Sequence, residues 1–154
     1  MPERIHNFGA GPAVLPLSVV NAVGDALPNL MDSGFGLCEI SHRSATFQSV
    51  VDSAMERVRR VLSVPEDYTV LFLQGGASLQ FYMTALNILR DGEQADFLVT
   101  GGWSQKALKE ANRIGDATDI WNDAENSFKS VPSDGEYSIR EGAVYLHYTS
   151  NNTL

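Results

Sequence analysis

Leu71-Phe72-Leu73-Gln74-Gly75-Gly76-Ala77-Ser78-Leu79-Gln80-Phe81 decides how this chain is read. Residues 70–73 form an apolar, strand-like run that stops at two glycines, and a helix-like pattern opens on Ala77-Ser78. A strand handing over to a helix in this way aims free backbone N–H groups and the positive end of the helix dipole at one point. A phosphate is the usual occupant of such a point. Whose phosphate is a separate question. A Walker loop requires a lysine at fixed spacing after its glycines, and none follows Gly75 or Gly76. A dinucleotide fingerprint requires three spaced glycines and an acidic residue near the end of the next strand. Only two adjacent glycines are present, and Asp96 precedes the apolar run 97–100 instead of ending it.

The chain has 154 residues, one domain's worth and enough to bury a core. With 44% hydrophobic and 19% charged residues it has globular composition. A net charge of -8 argues against a general nucleic-acid binder, which needs a basic surface, but leaves room for a small anion in a local positive pocket. No apolar run reaches membrane-spanning length, and residues 1–7 lack a signal-type apolar segment. A cytoplasmic protein is therefore expected. Cys38 stands alone, so neither a disulfide framework nor a thiolate metal cluster is expected, and it reads as a small buried residue. The three histidines lack ligand-like spacing, so no metal site is expected.

Outward from the opening run, residues 7–16 (NFGAGPAVLP) read as an extended arm, and 18–27 as a short helix. A turn at 32–36 leads to a short extended piece at 37–40. Apolar residues at Phe47, Val50, Val51, Ala54, Val58, Val61 and Leu62 have helical spacing, with Ser44 as candidate cap and Arg57, Arg59 and Arg60 near the end where cations suit the dipole. A helix over 78–89, a strand at 95–100, a helix over 104–114, a weaker extended segment at 117–121, a polar loop at 122–135 and a strong strand at 143–148 complete the pattern. This alternation predicts an α/β fold with a mostly parallel sheet and flanking helices, whose ligands lie beyond the carboxyl ends of the strands. Three predicted strand ends carry Gly or hydroxyl residues: Gly75-Gly76, Gly101-Gly102-Trp103, and 149–153. The chain stops soon after a buried-looking strand, with no helix to cover the sheet, and so reads as cut off.

Five blocks in order, NFGAGPAVLP (7–16), EISHR (39–43), LFLQGGASLQF (71–81), TGGWSQKA (100–107) and HYTSNNT (147–153), resemble the phosphoserine aminotransferases. The resemblance spans nearly the whole chain. It implies pyridoxal-phosphate fold type I, aspartate-aminotransferase-like, here as an arm (1–16) and an incomplete large domain (17–154). It also implies a pyridoxal 5'-phosphate cofactor, a homodimer, and a place in serine and pyridoxine biosynthesis. The implied small-molecule substrates are glutamate, 3-phosphohydroxypyruvate and phosphoserine; neither nucleic acid nor membrane is an implied partner.

By position, the resemblance assigns the cofactor phosphate to Gly76, Ala77 and Ser78, ring stacking to Trp103, and a hydrogen bond to the cofactor's phenolic oxygen to Thr153. His42 and Arg43 match the pair that binds substrate phosphate across the dimer interface, chemistry that suits a guanidinium fork. Each has a plainer reading: a close-packing glycine turn, a core tryptophan, a loop threonine, a surface arginine beside a capping histidine. His6 and His147 read as structural. Pyridoxal chemistry needs a lysine that holds the cofactor as a Schiff base and moves protons, and an acid at the pyridine nitrogen. The resemblance places both after the final block. Lys106, Lys109 and Lys129 are poor substitutes, so this chain is expected to contribute no catalytic residue and to be inactive by itself. A piece of a longer protein, a fragmentary gene and half of a split protein all stay open. So do a non-catalytic half-domain that binds a phosphorylated ligand, and a relative on the same fold such as an alanine–glyoxylate transaminase or a cysteine desulfurase.

Overall fold

A computed structural model describes residues 4–152, which fall into two compact units that divide between residues 72 and 73. The first unit is helical. Helix α1 (Leu17–Ala26) starts directly after Pro16 and ends ahead of Pro28, where proline's missing N–H and fixed φ suit helix boundaries. Helix α2 (Ala45–Val61) is capped as expected: the Ser44 hydroxyl accepts the Phe47 N–H at 3.1 Å. Its end is tied down by Arg59, whose guanidinium donates to the carbonyls of Pro65 and Tyr68, both at 2.6 Å. The apolar stripe of α2 is only half covered. Val51, Ala54 and Val58 are half-buried, Phe47 and Val50 are exposed, and no residue of α1 or α2 is fully buried.

Two expectations in this unit are corrected. Residues 37–40 form turns instead of an extended piece, because the Glu39 N–H donates to Gly36 O and its carboxylate accepts the Gly36 N–H. That turn lifts Cys38 into solvent, so it is an exposed thiol and not a buried one.

The second unit holds a three-stranded parallel sheet in the order β2-β1-β3, with β1 at Gln94–Val99, β2 at Asp116–Asn122 and β3 at Ala143–His147. Helix α3 (Gly76–Ile88) packs against α4 (Gly102–Ala111), and α4 packs on β1 and β2. Every residue of β1 after Gln94 is buried, as a central parallel strand requires. Alternate residues Ala95, Phe97 and Val99 join Ala85, Leu89, Ala107, Ala111 and Ala117 in the core. The alanines let helices and sheet approach closely, and Phe97 fills the space between them.

The strand expected at 70–73 does not pair. It belongs to no ladder, and Leu71, Phe72 and Leu73 are 66%, 59% and 51% exposed. Strand propensity is realised only by pairing with a neighbour, and residues 70–73 have none in a ladder. Among the described residues no helix is long and apolar enough to cross a membrane.

Candidate functional site

The end of β3 with its following loop and the opening turns of α3 and α4 meet around one cleft of about 300 Å³. Ala77 and Phe81 contribute from α3, Trp103 from the first turn of α4, and His147, Thr149 and Asn151 from the end of β3 and its following loop. The two glycines that open α3 both have left-handed backbones, φ +90° at Gly75 and +58° at Gly76. A side chain resists that conformation, and this explains why the sequence places glycine at both positions. In a helix so started, the amides of the first turn have no intrahelical acceptor and remain available to an anion. Gly76 has open space where a Cβ would stand.

Trp103 sits one residue inside α4 and is 38% exposed. Lys106, one turn on, holds its ammonium 4.5 Å from the indole centroid, an arrangement worth roughly 0.5–1 kcal/mol at the surface. This lysine is solvated, as expected, yet it also fixes one side of the indole. The turn before Trp103 is knotted by Ser104. Its buried hydroxyl accepts the N–H groups of Thr100 (2.9 Å) and Gly101 (3.0 Å) and donates to Gly101 O (2.8 Å).

The structural role expected of His147 is met in part: its ring stacks on Phe97 (4.9 Å, 25°) and meets Phe81 edge-on (6.0 Å). It also lines the cleft, and its Nε2 is buried without a hydrogen-bond partner, as is Thr149 Oγ1. This was not legible, because a histidine in an apolar strand looks the same whether or not its nitrogen finds a partner. Among the described residues no charged side chain lines the cleft. Burial alone therefore sets the direction of the His147 pKa, which lies below the ordinary histidine range.

The unfolded chain takes up a proton near pH 6.5 and the folded chain does not. Stability from this group is therefore fully present above that pH and declines as pH falls below it. Urea unfolding at pH 7.5 and pH 5 should show His147→Phe losing less stability on acidification than the parent chain. Equal losses would remove His147 from the acid response.

The remaining expected residues are distributed unevenly. Ser78 lines a different groove with Gly75, Leu79, Tyr82, Glu110 and Arg113. His42 and Arg43 lie in the exposed turn ahead of α2, in the first unit, where the Arg43 N–H donates to Ser41 Oγ at 3.2 Å. Thr153 lies outside the described residues. No group of histidine, cysteine or acidic side chains among the described residues could hold a metal.

The family model for aminotransferase class-V matches residues 5–154. The phosphoserine aminotransferase of Desulfotalea psychrophila is 45% identical over 154 residues, covering 100% of this chain and 43% of that protein. That of Bacillus cereus (strain ATCC 14579) is 44% identical over 152 residues, covering 99% and 42%. The solved structure of phosphoserine aminotransferase from Bacillus circulans subsp. alkalophilus matches with a TM-score of 0.86 at 40% identity, over 99% of this chain and 42% of that one. The structure of PLP-bound phosphoserine aminotransferase from Trichomonas vaginalis matches with a TM-score of 0.85 at 34% identity, over 97% and 42%. The chain spans less than half the length of these relatives. Over that span it shares their α/β fold, and the expected incomplete fold type I sheet with flanking helices is what the second unit contains.

Proposed function

Because the chain belongs to the aminotransferase class-V family, we propose that it is the cofactor-holding part of a phosphoserine aminotransferase, an arm (1–16) followed by the first part of the large domain (17–154). The parent reaction would move an amino group from glutamate to 3-phosphohydroxypyruvate, in a cytoplasmic homodimer. One observation carries the reading: the opening turn of α3, the indole of Trp103 and the segment after β3 line the same cleft.

The residues present fit pyridoxal phosphate. A 13-residue helix opens on two left-handed glycines, an aromatic wall stands beside it, and two buried polar atoms lack partners. When bound, the cofactor supplies an electron-accepting ring that allows an amino group and an α-proton to be exchanged. The chain's own residues bind and orient. The first-turn amides of Gly76, Ala77 and Ser78 hold the phosphate dianion, aided by the helix dipole. The Trp103 indole covers a ring face and excludes water, and Thr153 bonds the phenolic oxygen. His42 and Arg43 take the substrate phosphate. No lysine of this chain is given the covalent role.

Titration of the chain with pyridoxal phosphate in a Trp121→Phe background, read by Trp103 emission, tests the cradle. Saturable quenching that excess inorganic phosphate reverses is expected, and quenching that never saturates would overturn the reading. A borohydride-fixed adduct at one lysine would overturn the absence of a catalytic lysine. Arg43→Ala should weaken phosphoserine binding by about 10- to 100-fold, the worth of a charge-assisted hydrogen bond, with cofactor affinity unchanged. Calorimetry showing equal or no loss would favour a substrate without phosphate, as in the alanine–glyoxylate or cysteine desulfurase alternatives.

A further inference from the structure

Two loops that meet at the cleft are joined by one side chain. Asn152 Nδ2 donates to both the carbonyl oxygen and the hydroxyl of Thr100, each at 3.2 Å. Thr100 is the residue after β1, and Asn152 lies five residues beyond the end of β3. A second observation marks the same contact. A Cβ at Gly101 would run into Asn152 Oδ1 and stand 2.7 Å from its Cγ. Gly101 has an extended backbone, φ 170°, which any residue adopts. Conformation does not require glycine there; close approach of the Asn152 amide does. The Thr100–Gly101 turn is in turn held by the buried Ser104 hydroxyl. Ser104 thus fixes the turn from the α4 side and Asn152 from the β3 side, with Trp103 carried between them.

We propose that Asn152 is a positioning residue, latching the loop after β3 to the turn that carries Trp103 and so setting the spacing of the two cleft walls. It is not among the residues that line the cleft; it acts through Thr100 and Gly101. An asparagine suits the task because its NH₂ supplies two donors to the two Thr100 oxygens while its own oxygen lies against the bare Gly101 backbone. Aspartate, of the same shape, supplies only acceptors and would face Thr100 O with like polarity. The consequence for cofactor binding rests on the cleft being the cofactor site; the latch itself does not.

The test compares Asn152→Asp, Thr100→Val (which removes the hydroxyl acceptor and leaves the carbonyl) and Leu89→Ala, a core change away from the cleft, all in the Trp121→Phe background. Without cofactor, Asn152→Asp should lower Trp103 fluorescence anisotropy and speed amide exchange over 148–152, while Leu89→Ala lowers the melting temperature and leaves Trp103 anisotropy unchanged. Thr100→Val should give an intermediate loss, which serves if Asn152→Asp does not fold. With pyridoxal phosphate, Asn152→Asp should bind about tenfold more weakly, the worth of two ordinary hydrogen bonds. Unchanged anisotropy and exchange in both latch variants would overturn the proposal. A parent chain that shows no saturable quenching, together with loosened Trp103 in the variants, would leave the latch standing and remove the cofactor reading instead.

Discussion

Arg140→Met should destabilise the second unit by about 3–5 kcal/mol in urea or guanidinium unfolding, the range for breaking a buried ion pair and stranding its partner. Asp96 is the reason. It stands in the central strand with no exposed surface, and an isolated carboxylate there is costly. Arg140 Nε meets its Oδ1 at 2.6 Å, and the Arg140 backbone N–H donates to its Oδ2 at 2.7 Å. The same guanidinium bonds Asp116 Oδ2 at 3.1 Å and Ala95 O at 2.9 Å, so one side chain ties β1, β2 and the lead into β3 together at their amino ends. The Asp96 hydrogen bond is also the main cause that raises the Arg140 pKa. Arg140→Lys keeps the charge but not the fork and should recover only part of the loss. The double variant Asp96→Leu/Arg140→Met should recover most of it, since replacing both partners leaves no stranded charge. A loss below 1 kcal/mol for Arg140→Met would show that the clamp contributes little.

Gly75→Ala should weaken phosphate-dependent cofactor binding at least tenfold by Trp103 quenching, with the β-sheet intact by circular dichroism. A left-handed alanine costs roughly 1–2 kcal/mol by itself. Here its Cβ would also stand 2.5 Å from Leu79 Cβ, an atom fixed by the helix backbone, so the first turn of α3 must shift. Gly76→Ala is the control. Its backbone is also left-handed, but nothing lies within 4 Å of the added carbon, so it should cost only the conformational penalty and a smaller loss of affinity. Equal affinity in Gly75→Ala and the parent chain would separate the glycine turn from phosphate binding and favour the plain reading of a close-packing turn.

The helices were legible because their signals are local. Ser44 caps the helix it precedes, and Pro16 stands directly before α1. The burial of β1 followed from an apolar run between turn residues, and the parallel sheet from strand–helix alternation. Residues 70–73 were misread because their strand character needs an edge that local composition cannot supply. Cys38 was misread because the Glu39 turn, and not the cysteine's apolarity, sets its exposure. Asp96 carried a signal that could have been followed: an acid inside an apolar strand demands a cation. The demand did not reveal which of the chain's arginines meets it, 44 residues away.

The sequence by itself determined that two glycines open a helix after an apolar run, that the sheet is parallel, and that Trp103 follows a strand end. Those are consequences of backbone conformation and hydrophobic period, which each short stretch carries alone. Only the tertiary structure decided that Ser78 faces another groove, that His147 and Thr149 keep unpartnered atoms beside the cleft, and that Asn152 closes on Gly101. These depend on which distant residues share a few ångströms of space, and the packing of the whole unit sets that.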